Sequence, residues 1–231
     1  MRVLRGREAD IEADRARTRE MTRGVGETGE RALRVWTPHR QVAFGRRDAR
    51  EDGYERAREA CERAGFPTIE RRVGGRAVVY TGSTVAFARA EAVADIRSGL
   101  DDRYEAATTD LQAALDRLGV HSRRGEPPDS FCPGTHSLRA PGENGGKIAG
   151  IAQRVGRGVA LVAGVVIVDS AAEIAAVLED VYDALGVAFD SGSVGSIERA
   201  GGETSGRKVL GEIERALIGD AEVHIERIDD E

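Results

Sequence analysis

Lysine is rare in this chain: Lys147 and Lys208 stand against 32 arginines. A compact ammonium on a flexible stem suits contact with a phosphate, or with a carboxylate becoming an acyl group, better than a planar guanidinium does. Lys147 lies in Gly145-Gly146-Lys147-Ile148-Ala149-Gly150-Ile151-Ala152-Gln153-Arg154, after a Gly- and Pro-rich stretch and before an apolar run. The flanking glycines would let backbone approach a ligand closely. A second cluster, Arg71-Arg72-Val73-Gly74-Gly75-Arg76-Ala77-Val78, has the same character. Backbone N–H groups in such a turn can cradle an anion, and the arginines on both sides favour that over an ordinary tight turn. The two cysteines differ. Cys61 shares a helical apolar stripe with Tyr54, Ala57 and Ala64 and reads as core. Cys132 lies outside any apolar periodicity, 15 residues before Lys147, and reads as an exposed, reactive thiol. Arg46 and Arg47 could line a site or face solvent.

Composition narrows the possibilities. At 231 residues the chain makes one large domain or two small ones. With no internal repeat and no flexible linker, one unit over 1–231 is expected. A net charge of −6 without a long basic block argues against non-specific nucleic-acid binding. The cysteine spacing gives neither a disulfide framework nor a metal-ligand pair, so no metal site is expected. The charged N-terminus lacks a signal-peptide pattern, and no apolar run reaches spanning length. A cytoplasmic protein without a membrane partner is expected.

The elements that must position these residues alternate in type. Residues 8–22 read as a weakly amphipathic helix broken at Gly24-Val25-Gly26. Ala32–Trp36 and Gln41–Phe44 read as a hairpin around Pro38, and 51–64 as a helix ended by Gly65. Strands follow at 67–72, 77–80 and 84–88, the last two joined at Gly82. A helix over 103–118, capped by Asp101 or Asp102, turns Tyr104, Ala107, Leu111, Leu115 and Leu118 inward. The stretch from Arg124 to Gly146 reads as a long functional loop. Strands at 148–153 and 158–168 come next, the second suited to a central position buried on both faces. Helices are expected at 171–185 and, capped by Thr204, through Leu217. Residues 221–227 form an edge strand or fray. The fold class expected is α+β, a mixed central sheet flanked by helices.

Together the two clusters resemble motifs of the lipoate-protein ligase and octanoyltransferase family, within the biotin/lipoate ligase catalytic-domain superfamily. The family's Arg-Arg-x-Ser/Thr-Gly-Gly-Gly/Arg-Ala-Val segment is matched by Arg71, Gly74, Gly75, Arg76, Ala77 and Val78. It departs at Glu70, at Val73 and at Tyr80, where a histidine is usual. The family's Gly-Lys-Lys/Arg-x-x-Gly-Ser-Ala-Gln segment places its lysine on Lys147, with Gly150, Ala152, Gln153 and Arg154 matching and Ile151 replacing a serine. Weaker similarity covers Ile11–Met21, Trp36–Arg47 and Ser196-Ile197-Glu198. No counterpart of the ligases' accessory C-terminal domain is expected.

The resemblance implies an enzyme that activates lipoate or octanoate with ATP and Mg²⁺ and acylates a carrier-domain lysine. The carrier would be of the 2-oxoacid dehydrogenase E2 or glycine cleavage H type. Lys147 would be catalytic, contacting the oxygens of an acyl-adenylate. Arg71, Gly74, Gly75, Arg76, Ala77, Tyr80, Gly150 and Ala152 would surround the acyl group, and the 124–146 loop would cover it. A separately encoded accessory subunit could be required. The alternative is a transferase that takes octanoate from an acyl carrier protein through Cys132, without ATP. A biotin-type ligase and a non-enzymatic acyl binder remain as further readings.

Overall fold

The computed structural model describes residues 1–228 except 72–74, 96, 143–144 and 157. The strands are β1 (Arg2–Arg5), β2 (Ala32–Trp36), β3 (Gln41–Phe44), β4 (Thr68–Glu70), β5 (Val78–Tyr80), β6 (Val85–Ala92), β7 (Arg123–Arg124), β8 (Ser137–Arg139), β9 (Lys147–Gly156), β10 (Val159–Val166) and β11 (His224–Arg227). The helices are α1 (Ile11–Thr28), α2 (Tyr54–Arg63), α3 (Leu100–Arg117), α4 (Ala171–Ala184) and α5 (Gly206–Ile218). Eight strands form one mixed sheet in the order β11-β1-β2-β6-β10-β9-β8-β7, and three form a second, β4-β3-β5. The α+β reading holds.

Three apolar clusters fix the layers. Leu111 and Leu115 of α3 and Val209, Ile213 and Leu217 of α5 pack with Leu33, Phe87, Ile148 and Val162 of the large sheet. Met21 and Val25 of α1 pack with Leu4, Ala88 and Val159. Cys61 of α2 and Ile174, Leu178 and Tyr182 of α4 pack with Val42 and Phe44 of the small sheet. The candidate site lies where strands of both sheets meet.

Several elements differ from the sequence reading. The Gly24-Val25-Gly26 stretch does not break α1, which runs on to a cap at Gly29. Val25 is fully buried. That burial is worth about 1.5–3 kcal/mol, enough to offset roughly 1 kcal/mol for each interior glycine. β2 and β3 are not a hairpin: β2 pairs with β1 and β6, and β3 with β4 and β5. β5 and β6, joined across Gly82, likewise part into different sheets. Alternation finds a strand but not its partner.

β1 was not anticipated, because its two arginines mask the buried pair Val3 and Leu4. β10 is central as expected, but Leu161, Ala163 and Val165 are only partly buried. The 124–146 stretch is not all loop: β7 and β8 extend the large sheet within and beside it. Asp101 and Asp102 lie inside the first turn of α3 rather than capping it, and Thr204 does not cap α5. Gly99 precedes α3, and Ser205, without a side-chain cap bond, precedes α5. β11 forms the edge strand, parallel to β1. Among the described residues no helix is long and apolar enough to cross a membrane.

Candidate active site

Lys147 opens β9 and is 2% exposed. Its Nζ donates to Glu126 Oε1 at 2.8 Å and to the carbonyls of Phe131 and Cys132, each at 3.0 Å. An ammonium has three protons to give, and all three go to protein. The same nitrogen lies 4.8 Å from the centre of the Phe131 ring. The carboxylate partner satisfies the buried charge, as burial demands. The two glycines before Lys147 are packed against protein backbone. A Cβ at Gly146 would lie 2.5 Å from the Gly195 nitrogen, and one at Gly145 would strike the carbonyl of Ala140. Lys147 itself forms a parallel bridge to Val194. A Cβ at Gly150 would meet Lys147 Cε at 3.2 Å, so that position clears the lysine stem.

The carbonyl that Lys147 holds belongs to Cys132, whose φ is +42°. A non-glycine residue keeps that left-handed conformation only where its surroundings fix it. Two contacts do so. Lys147 takes its carbonyl, and the Tyr182 hydroxyl accepts its N–H at 2.6 Å. The Tyr182 O–H donates in turn to Ala77 O at 3.3 Å. Burial pushes the Tyr182 phenol up, so it stays protonated and able to donate.

The thiol so aimed meets two donors. Arg71 Nη2 lies 3.1 Å from Cys132 Sγ, and the Arg76 backbone N–H 3.3 Å from it. The same Arg71 nitrogen also bonds the Arg76 carbonyl. Gly75 has φ +94°, and a Cβ there would lie 2.7 Å from the sulfur. The glycine turn thus does provide close approach, to the thiol of Cys132. Arg76 is tied down at its other end. Its Nη1 reaches Asp48 Oδ1 and Glu51 Oε1, both at 3.1 Å. Burial pushes the Asp48 carboxyl above its ordinary range, against the pull of the Gly45 N–H and Arg76.

Lys147, Cys132, Arg71, Gly75, Arg76 and Ala77 are therefore brought together. Tyr80 is partly buried at the end of β5 opposite Gln41. Gly74 and Val73 lie outside the described residues. Ala152 sits further along β9, opposite Ala163. Cys61 is fully buried, and burial pushes its thiol up to about 12.

Two residues of the site escaped the sequence reading. Glu126 also accepts from Ser137 Oγ at 2.6 Å and the Gly134 N–H at 3.1 Å, so it pins both ends of the cysteine loop. It was hidden in a polar loop with no periodicity. Tyr182 read as an ordinary residue of the 171–185 helix. Its neighbours Leu178 and Val181 face the core, which was the available signal.

Residues 10–206 match the lipoyl protein ligase A/B catalytic domain, and the chain belongs to that family. Among curated relatives, the octanoyl-[GcvH]:protein N-octanoyltransferase of Anoxybacillus flavithermus is 32% identical over 154 residues, 65% of this chain and 54% of that protein. The lipoyl-[GcvH]:protein N-lipoyltransferase of Listeria monocytogenes is 25% identical over 130 residues, 56% of this chain and 46% of that protein. The matched segments span about half the length of these relatives. Among solved structures, a lipoate-protein ligase A bound with ATP superposes with a TM-score of 0.76 at 18% identity, covering 99% of this chain and 89% of that one. A bipartite lipoate protein ligase from Thermoplasma acidophilum gives 0.71 at 16% identity, covering 99% and 87%. These likenesses establish the fold.

Proposed function

We propose that the protein is a cysteine-dependent acyltransferase that moves an octanoyl or lipoyl group between lysines of carrier domains, with Cys132 as nucleophile. The observation that carries this reading is the setting of Cys132: held at positive φ, fixed on both sides of its backbone, and faced by Arg71 and the Arg76 N–H. An incidental loop thiol needs none of this. The relatives that name GcvH support a glycine cleavage H-type protein as one carrier, with an E2-type domain as the other.

The step balances without an energy source. Cys132, as thiolate, attacks the carbonyl carbon of an octanoyl-lysine amide. The C–N bond breaks, the amine leaves with the proton the thiol gave up, and the acyl group rests on sulfur as a thioester. The acceptor lysine's amine then attacks that carbonyl, the C–S bond breaks, and a proton returns to sulfur. Donors already aimed at the sulfur can hold the negative charge that each addition develops nearby. Lys147 fixes the nucleophile's backbone and does not reach for the acyl group. The reducing cytoplasm would keep the thiol free.

The ligase reading needs ATP and Mg²⁺, and what favours the transferase over it is that three cations of the site already have protein partners. Arg76 is held by Asp48 and Glu51, Lys147 by Glu126, and Arg71 by the thiol and a carbonyl. A triphosphate would have to displace these partners. The test is transfer of octanoate from an octanoylated H protein to a lipoyl domain. Product without ATP, lost in Cys132→Ala, supports the transferase. Product only with ATP, Mg²⁺ and free octanoate, retained in Cys132→Ala, restores the ligase.

A further inference from the structure

Arg46, Arg47 and Arg50 take no part in the arrangement around Cys132. They sit on the turn between β3 and α2, all three exposed and without an ion-pair partner among the described residues. Two acids beside them, Asp48 and Glu51, are taken up by Arg76. Asp48 is fully buried, accepts the Gly45 N–H at 2.8 Å, and pairs with Arg76. Glu51 pairs with Arg76 from the next position. Two acids of the turn are thus engaged by Arg76, while the turn's three arginines face solvent. The exposed Asp52 adjoins it and still leaves the patch positive. On a chain of net charge −6, such a patch is not background.

Its position is fixed relative to the thiol. A Cβ at Gly45 would run into the carbonyl of Gly75, and Gly75 abuts Cys132 Sγ. Arg76 joins the two directly, giving its N–H to the sulfur and its guanidinium to the turn. Three outward arginines thus border the nucleophile without touching it. A substrate carried on a lysine arm needs its domain docked beside the thiol.

We propose that the 46–50 turn is the docking surface for an acidic face of the carrier domain that presents the acyl-lysine to Cys132. The proposal rests on the transferase reading for the identity of its partner. Exposed charges of this kind speed and orient encounter, and salt screens them. They act on carrier binding and leave the chemistry at sulfur alone.

The experiment titrates octanoylated H protein against the wild-type chain and an R46E/R47E/R50E variant at low and moderate salt. The same two proteins are then tested for acylation of Cys132 by a small neutral octanoyl thioester. The expected result is carrier binding weakened roughly tenfold or more in the variant, with its salt dependence flattened, and small-thioester acylation within twofold of wild type. An R46Q/R47Q/R50Q variant should fall between, which guards against misfolding of the reversal. Equal carrier affinity and equal salt slope in all three proteins would overturn the docking surface, as would a wild type that does not bind the carrier. Carrier binding that depends on the arginines, with no acyl group ever reaching Cys132, would instead sustain the surface and overturn the transfer reading.

Discussion

Arg34, Arg89 and Lys147 are the buried cations among the described residues, and two of them, Arg34 and Lys147, sit in opposite kinds of surroundings. Arg34 on β2 is fully buried and bonds Asp14, the Asp14 carbonyl, Thr18 Oγ1 and the Gly6 carbonyl. Trp36 Nε1 closes the set by donating to Asp14 Oδ2 at 2.9 Å. That cluster ties α1 to the sheet and presents no reactive atom. Lys147 is also almost fully buried and gives all three of its protons to protein, yet two of its bonds fix the backbone of a partly buried thiol. A buried cation does not by itself mark a site. What its partners hold in place does.

The largest expected effect breaks the symmetry of the two at the thiol. Cys132→Ala should cost at least about a thousandfold in acyl transfer with an unchanged melting temperature; a loss under tenfold would remove Cys132 from the chemistry. The Arg34 cluster should respond in the opposite currency. Asp14→Ala leaves a buried guanidinium without its carboxylate and should cost on the order of 3–5 kcal/mol in urea unfolding, while the folded fraction keeps its rate. A rate loss larger than the folded fraction explains would make that cluster part of the site.

Glu126→Gln sharpens the comparison further. The neutral amide still accepts from Lys147 but no longer balances its charge or serves two other donors as well. A fall of roughly 10- to 100-fold in kcat is expected, with less change in KM. Reaction of Cys132 with iodoacetamide should slow in parallel, a readout a merely structural role would not move.

The two thiols make a smaller, pH-dependent contrast. Burial pushes Cys61 from 9.0 to about 12, so between those values the folded protein keeps a proton that the unfolded chain has lost. Excess protons on the folded state mean that stability falls as pH rises. Stability should therefore decline from about pH 9 upward, more steeply in wild type than in Cys61→Ala, as followed by thermal melts. At pH 8, alkylation followed by peptide mapping should label Cys132 and spare Cys61. Lys208→Ala should change neither rate nor stability by more than about 0.5 kcal/mol, since its ammonium makes only an exposed pair with Glu203.

Much of this was legible in the chain. The helices at 51–64 and 171–185 and the strands at 32–36 and 41–44 announced themselves by period and composition. Lys147 stood out because lysine is scarce, and Arg71, Gly75 and Arg76 because glycine and arginine cluster there. Local pattern could not tell which sheet β3 or β5 would join, since both are almost wholly buried and any partner satisfies them. Nor could it reveal that Lys147 and the glycine turn converge on Cys132, because those bonds span 15 to 61 residues. The rarity of Lys147 suggested a hand on the substrate; its bonds to Glu126 and to the carbonyls of Phe131 and Cys132 also make it a clamp on the cysteine loop. Glu126 lay in a stretch without period, where only folding shows which carboxylate turns inward.

The measurement that bears most directly on the account is intact-protein mass spectrometry of the chain mixed with octanoylated H protein, without ATP, and chased with an unmodified lipoyl domain. The account predicts one added octanoyl mass, released by hydroxylamine as a thioester is. It should be absent in Cys132→Ala and present in Cys61→Ala, and should decay at the rate at which octanoyl lipoyl domain forms. An adduct that survives Cys132→Ala, or transfer at full rate with no adduct at any time, would contradict it.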